Sequence, residues 1–152
     1  MIYLVSKFIF SDLIVEWDHV DRENGAIYAS STKVDNLDRY NKNNLNRPTA
    51  TWMSSGYDNE WLEFQFQKVV KINGIQTIVK DRDTAFKSFE IQYNDGANWT
   101  TIETGIRSPE ELREINKFFS ITRSNKFRLN LINSYGNNRF EIIELKLSFV
   151  KG

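Results

Sequence analysis

Apolar and polar residues alternate along several short stretches of the chain, most clearly between residues 86 and 102. From Phe89 to Tyr93 every second residue is apolar, which is the period of a β-strand with one buried face. Residues 94–96, Asn-Asp-Gly, tolerate positive φ and allow the chain to reverse. Trp99 and Ile102 lie in a second extended run. The pattern therefore predicts an antiparallel hairpin.

The same alternation recurs outside this hairpin. Every second residue from Leu62 to Phe66 is apolar, and residues 69–79 are extended except at Gly74, where a bulge or a close approach is predicted. Many short strands separated by turns predict an all-β protein, a single antiparallel β-sandwich or barrel. Further extended runs are residues 118–121, 126–131 and 142–147. We expect the core to contain Trp52, Phe64, Ile91, Tyr93 and Trp99.

One stretch has the pattern of a helix. Ser108 is a favourable N-cap, Pro109 occupies the first helical position and Glu111 the third, which together form a capping box. The sequence therefore predicts one short helix near 109–117, inserted on the β scaffold.

Residues 1–20 form an apolar segment ahead of the main domain, residues 21–152. Lys7, Asp12 and Glu16 interrupt this segment, and it lacks a basic start and a small-residue cleavage site. Neither a secretory signal nor a membrane span is therefore predicted. Two interpretations stay open: an edge strand on the core of its own domain, or an arm that docks on a neighbouring subunit of a homo- or hetero-oligomer.

Composition excludes several classes of function. The 152 residues include 20 Lys and Arg and 20 Asp and Glu, so the zero net charge argues against a general electrostatic attraction to nucleic acid or anionic lipid, and no membrane insertion is predicted either. The absence of cysteine excludes disulfides and thiolate metal sites. His19 is the only histidine, and the sequence has neither a nucleophilic-serine motif nor a phosphate-binding glycine loop. We therefore predict that the protein is not an enzyme.

Five segments follow one another in a specific order. They are an Ala-Ser-Ser exit at 29–31, a Leu-to-Trp loop at 45–52, a Trp-led strand at 61–66, an Asp-Gly-to-Trp hairpin at 95–99 and Glu144 in the last strand. This set resembles the discoidin domain, also called the coagulation factor V and VIII type C domain. The resemblance implies a galactose-binding-like jelly roll that binds glycans, lipid headgroups or proteins through loops at one tip.

Sugar recognition requires an aromatic face for C–H groups and planar polar groups for hydroxyls. The loops contain residues with this chemistry, and these are the candidate carbohydrate-binding residues. They are Tyr40, Tyr57, Asp58, Asn59, Arg82, Asp83, Tyr135, Asn137, Asn138 and Arg139.

The resemblance also implies a candidate calcium site. In calcium-binding members the loop that matches residues 45–52 holds the metal with an Asp and backbone carbonyls, and in some the terminal-strand Glu joins. Here Asn46 stands where that Asp is usual, and a neutral amide is a poorer ligand for calcium. The candidate metal ligands are Asn46, Thr51 and Glu144. The residues themselves predict no cofactor, and calcium stays an alternative.

Two functional hypotheses follow from the sequence. The first is a non-catalytic adhesion module that recognises a surface glycan through loops at one tip, within a larger assembly. The second is a structural subunit of a virion, in a phage tail, baseplate or capsid decoration, whose loops and N-terminal arm contact neighbouring proteins. Both place the protein at an extracellular surface or on a virion as part of an assembly, and otherwise in the cytoplasm.

Overall fold

The structure is a computed structural model that describes residues 15–31, 52–79, 84–106, 114–136 and 139–151. These residues form eight β-strands and one short 3-10 helix, Val20–Glu23. The strands are Trp17–Asp18 (β1), Gly25–Ala29 (β2), Trp52–Met53 (β3), Asp58–Val79 (β4), Phe86–Asn94 (β5), Trp99–Ile106 (β6), Glu114–Ser134 (β7) and Glu141–Phe149 (β8).

Two strands, β4 and β7, are long enough to take part in both layers of the fold. The first part of β4 pairs with β2 and with residues 126–133 of β7. Its second part, from Val70, pairs with residues 114–124 of β7 and with β8. All these pairings are antiparallel, and β5 and β6 extend the first layer while β1 and β3 flank β8 in the second.

The register of β4 shifts where the chain passes from one layer to the other. Shifts occur between Gln65 and Val70 and again between Ile72 and Gly74. The second shift is an irregularity of the ladder at Gly74, where the sequence predicts a bulge or a close approach, and a Cβ at this position would lie 3.0 Å from the Trp17 ring. A bulge bends a strand and increases its twist, which allows one strand to serve two layers.

The core lies between the two layers. Leu62, Phe64 and Ile91 from the first layer and Leu145 and Leu147 from the second belong to one buried cluster. In β5 and in residues 127–131 of β7, alternate apolar residues are buried in this cluster and the intervening polar residues are more exposed. The predicted all-β antiparallel sandwich is therefore confirmed.

Four of the five aromatic and aliphatic side chains expected in the core lie in it or pack against it. Trp52, Phe64 and Ile91 are buried, and Tyr93 is partly buried against the cluster. Trp99 differs, because it pairs with Asn94 on the outer face of the first layer and its ring contacts a guanidinium group. The prediction that Trp99 points inward is wrong.

The predicted helix near 109–117 is wrong at its C-terminal end. Residues 114–117 are the first four of β7, in which Ile115 is buried opposite Thr77 and Lys117 pairs with Ile75. A capping box describes only local preference, and the ladder with β4 overrides it here. Residues 109–113 lie outside the described residues.

The predicted hairpin is formed by β5 and β6, joined by residues 95–98. Gly96 has φ 105°, a backbone conformation that residues other than glycine rarely adopt. The Asp95 carboxylate accepts hydrogen bonds from the N–H groups of Asn98, at 2.8 Å, and Ala97, at 2.9 Å. These two donors stabilise the charged form and hold the pKa of Asp95 below its ordinary value.

The N-terminal segment enters the fold at β1. Trp17 pairs with Ser148 and Asp18 with Leu147, so this part of the segment is an edge strand on β8. Residues 1–14 lie outside the described part of the chain, and the boundary at residue 20 stays a prediction. No helix among the described residues is long and apolar enough to cross a membrane.

Candidate functional site

Four connections meet at one end of the sandwich, which we call the loop end. It comprises residues 30–31, 54–59, 84–85, 135–136 and 139–140, which follow or precede β2, β3, β4, β5, β7 and β8. The registers bring these residues together because Asp58 pairs with Asn133, and Phe86 pairs with Ser134. Antiparallel strands thus deliver loops that are distant in sequence to one edge of the fold.

Main-chain hydrogen bonds tie two of these connections together. Ser54 donates its N–H to the carbonyl of Phe140 at 2.9 Å, and Phe140 donates to the Ser54 hydroxyl at 3.0 Å. The Arg139 Nε donates to the carbonyl of Ser55 at 3.2 Å. The guanidinium of Arg139 is therefore held beside the turn that precedes Tyr57.

A second pair of connections is fixed in the same way. Tyr135 donates its N–H to the carbonyl of Ala85, and Glu141 donates to that of Thr84, each at 3.1 Å. The Lys87 ammonium lies 5.7 Å from the centroid of the Tyr135 ring, within the range of a cation–π contact. The half-buried ring of Tyr135 is thus positioned by both neighbours.

The Ala-Ser-Ser exit from β2 has a defined role at this end. Ser30 donates its hydroxyl to Glu60 Oε1 at 2.8 Å, and the Ser31 hydroxyl donates to the same oxygen. The Ser30 and Ser31 hydroxyl oxygens in turn accept the N–H groups of Trp61, at 2.8 Å, and Ser55, at 3.0 Å. These bonds fix the start of β4 against the end of β2.

Five of the predicted sugar-binding residues come together at the loop end: Tyr57, Asp58, Asn59, Tyr135 and Arg139. Tyr57 has 57% of its surface exposed, so one face of an aromatic ring is available to solvent. A carboxylate, an amide and a guanidinium group accompany it, which are the planar partners that sugar hydroxyls bind. The other five lie outside the described residues: Tyr40, Arg82, Asp83, Asn137 and Asn138.

Two polar residues of the loop end were not among the sequence candidates. Glu60 receives both serine hydroxyls, and Lys87 contacts the Tyr135 ring. Glu60 lies two residues before the buried Leu62, and Lys87 two before the buried Phe89, so the alternation assigns both to the core face and gives no signal for a polar role at the end of a strand. The Ala-Ser-Ser motif was the available signal for Glu60, because hydroxyls at a strand exit require an acceptor.

Glu144, the described member of the candidate calcium site, lies in the middle of β8 opposite Ile78. Its Oε1 is 3.1 Å from the His19 Nε2 and 3.2 Å from the Lys146 Nζ. Cationic and imidazole partners occupy this oxygen, and the described residues contain no group of three or more His, Asp or Glu that could hold a metal. The described donor set does not fit calcium. Asn46 and Thr51 lie outside it, so their part in a calcium site stays a prediction.

An aromatic–guanidinium stack occupies the outer face of the first layer. The Arg128 guanidinium carbon lies 4.4 Å from the Trp61 ring centroid and 4.2 Å from that of Trp99. Arg128 also donates from Nη2 to Glu63 Oε1 at 2.7 Å. Because three strands contribute to it, this stack holds β4, β6 and β7 together on the face opposite the core.

Comparison with known proteins identifies the family. The family model for the F5/8 type C domain matches residues 26–145, and the chain therefore belongs to this family. A search of curated proteins found no match.

Solved structures with the same fold share little sequence with this chain. CpGH89CBM32-5 from Clostridium perfringens, in complex with GalNAc-β-1,3-galactose, has a TM-score of 0.72 at 14% identity and covers 85% of this chain and 98% of its own. The family 32 carbohydrate-binding module of Clostridium perfringens NanJ, in complex with galactose, has a TM-score of 0.70 at 14% identity, covering 87% and 98%. A chitosan-binding module of a Paenibacillus chitosanase/glucanase has a TM-score of 0.71 at 16% identity, covering 88% and 99%. Each likeness supports the sandwich fold.

Proposed function

We propose that this protein is a non-catalytic glycan-binding module that recognises its ligand with the loop end of the sandwich. The observation that carries the proposal is the grouping there of the exposed Tyr57 ring with Asp58, Asn59 and Arg139. The fold relatives that were solved with galactose and with GalNAc-β-1,3-galactose support the same class of ligand.

In this proposal each side chain has a separate task. The phenol ring of Tyr57 packs against the C–H groups of one sugar face, which is an apolar contact. The Arg139 guanidinium donates to ring or hydroxyl oxygens, while the Asp58 carboxylate accepts from hydroxyls. Because the Arg139 Nε already donates to the Ser55 carbonyl, little ordering of this side chain accompanies binding.

The test begins with a glycan array and continues with titration calorimetry of the strongest ligand, with and without calcium. Tyr57→Ala and Arg139→Ala are expected to weaken binding about tenfold each, because each removes one direct contact. Phe118→Ala is the control, since Phe118 is an exposed aromatic residue of β7 that pairs opposite Gly74, away from the loop end. An array without binding in either condition, or equal loss in all three variants, would contradict the proposal.

The wider setting of the protein stays a prediction. This setting includes a virion subunit, an extracellular location and an oligomer formed through the N-terminal arm, residues 1–20. Light scattering on the full chain and on a variant that lacks residues 1–14 tests the oligomer directly. An oligomer that becomes monomeric on deletion supports the arm, and a monomer in both cases opposes it.

A further inference from the structure

A basic cleft opens at the end of the sandwich opposite the loop end. Its volume is about 300 Å³, near the lower limit of ligand pockets in proteins. The cations that line it are Arg22, Lys71, Arg123 and Lys151, and Glu23 is the one carboxylate among the described lining residues. We call this set of residues the basic cleft.

The position of the cleft follows from the strand directions. It lies where β2 begins and β8 ends, and the Val150 N–H donates to the Lys71 carbonyl at 2.9 Å. The loop end is formed where the same strands have their other termini. A ligand in the basic cleft would therefore not cover Tyr57 or Arg139.

The charge of the cleft contrasts with that of the whole chain. Formal net charge is zero, yet four cations and one anion line this cavity. Arg22 is paired with Asp18. Within the described part of the chain, Arg123 and Lys151 make no ion pair, and both are exposed. A concave surface with unbalanced positive charge attracts anions more strongly than a flat one.

Apolar side chains form the remaining wall of the cleft. Val70 and Phe149 are partly buried against the core, and the Phe149 ring meets that of Phe66 edge to face at 5.8 Å. This contact fixes the ring of Phe149. An apolar wall beside several cations suits a molecule with both C–H groups and a negative charge.

We propose that the basic cleft binds an acidic sugar unit, one that carries a carboxylate or a sulfate group. The acid group would lie between Arg123 and Lys151, whose charged donors match its oxygens. The pyranose ring would lie against Val70 and Phe149. A neutral sugar would give Arg123 and Lys151 no anionic partner, so acidity is the expected basis of selection.

The test uses the full chain and two soluble probes of equal length, an oligomer of galacturonate and an uncharged oligomer of galactose. Binding is followed by NMR titration of backbone amides and by calorimetry. We expect only the acidic probe to shift resonances of Lys71, Arg123 and Lys151, with an affinity that falls as salt is raised. Absence of these shifts would overturn the proposal.

Two double variants distinguish binding in the basic cleft from a general electrostatic attraction between the acidic probe and the protein. Arg123→Gln with Lys151→Gln is expected to weaken acidic binding about tenfold or more. Lys126→Gln with Lys146→Gln removes the same number of charges from residues outside the cleft. This double variant is expected to change the affinity for the acidic probe less than twofold. Equal weakening in both would overturn the proposal. Thermal unfolding of each variant verifies that the fold persists.

An anionic membrane surface is the alternative ligand for these cations. Val69 at the cleft rim is 58% exposed and would supply the apolar contact with the lipid. The saccharide assignment would be overturned if the parent protein binds phosphatidylserine vesicles, the Val69→Ser variant does not, and neither protein binds the acidic oligosaccharide. The loop-end variant Tyr57→Ala is expected to keep acidic binding at the cleft. A failure of the proposed glycan binding at the loop end is therefore distinguishable from a failure of the proposed acidic-sugar binding in the basic cleft.

Discussion

The Arg128 guanidinium carbon lies 4.2 Å from the centroid of the Trp99 ring, on the outer face of the first layer. Trp61 covers the other side of this guanidinium at 4.4 Å, and Glu63 accepts its hydrogen bond at 2.7 Å. The side chains of Arg128 and Glu63 are 22% and 10% exposed, so water solvates these two charges poorly. Loss of one partner therefore destabilises the protein more than it would in an ion pair on the surface.

Removal of Arg128 is expected to leave a nearly buried carboxylate without its cation. We predict that Arg128→Met lowers the free energy of unfolding by about 2–3 kcal/mol. The double variant Arg128→Met with Glu63→Gln is expected to recover part of this loss, because no unpaired charge is left. Urea unfolding of the two single variants and the double variant gives the coupling energy, and strictly additive effects would contradict the prediction.

Gly105 is required by its cross-strand partner Phe89. A Cβ at position 105 would lie 2.4 Å from the Phe89 Cζ, and Phe89 is only 3% exposed. We predict that Gly105→Ala destabilises the protein by about 1–3 kcal/mol through overpacking. Phe89→Leu combined with Gly105→Ala is expected to cost less than the sum of the two single changes, as measured by thermal unfolding. A sum equal to the separate losses would show that the clash is not the cause.

The Asp95 carboxyl is expected to titrate below its ordinary pKa of 3.8, because it accepts two main-chain hydrogen bonds in the hairpin turn. A group whose pKa is lower in the folded state stabilises the protein above the unfolded value. That stability is lost as the pH falls from about 3.8 through the folded pKa. Carbon-detected NMR titration gives this pKa, and the stability gap between the parent and Asp95→Ala is expected to close at low pH. A pKa at or above 3.8 would contradict the prediction.

Trp52 links the core to the loop end. Its side chain is 2% exposed, and its indole N–H donates to the Ser31 carbonyl at 3.2 Å. We predict that Trp52→Ala costs about 3–5 kcal/mol because it leaves a cavity, and that Trp52→Phe costs clearly less. Calorimetric unfolding measures both losses. Similar values for the two variants would show that the volume of the side chain is not what matters here.

The strands and the core could be predicted because they depend on patterns within a few residues. The alternation from Leu62 to Phe66 and from Phe89 to Tyr93 places its apolar members inside, and Asn-Asp-Gly at 94–96 marks the chain reversal. These preferences agree with the tertiary packing, so the local signal is sufficient.

The errors arise where a distant partner determines the structure. Trp99 has the period of a core residue, yet Arg128 on another strand provides its contact. Residues 114–117 follow a good capping box, yet the ladder with β4 makes them a strand. The length of β4 was also missed, because the polar pair Gln67 and Lys68 interrupts the alternation between the two predicted runs.

The candidate site could be predicted only as a set of residue types. Tyr57 and Arg139 have suitable chemistry, but their proximity depends on hydrogen bonds between Ser54 and Phe140, which are 86 residues apart. The basic cleft was missed for the same reason, since Arg22, Arg123 and Lys151 come from three parts of the chain. A formal net charge of zero conceals a local excess of either sign.

Because β4 and β7 each run unbroken through both layers, neither layer can separate from the other while these strands keep their pairing. We therefore expect the sandwich to melt as one cooperative unit, with its slowest-exchanging amides in β4 and β7 on both sides of the bulge. A load applied across the molecule would likewise be borne by the same two strands, whichever end is occupied.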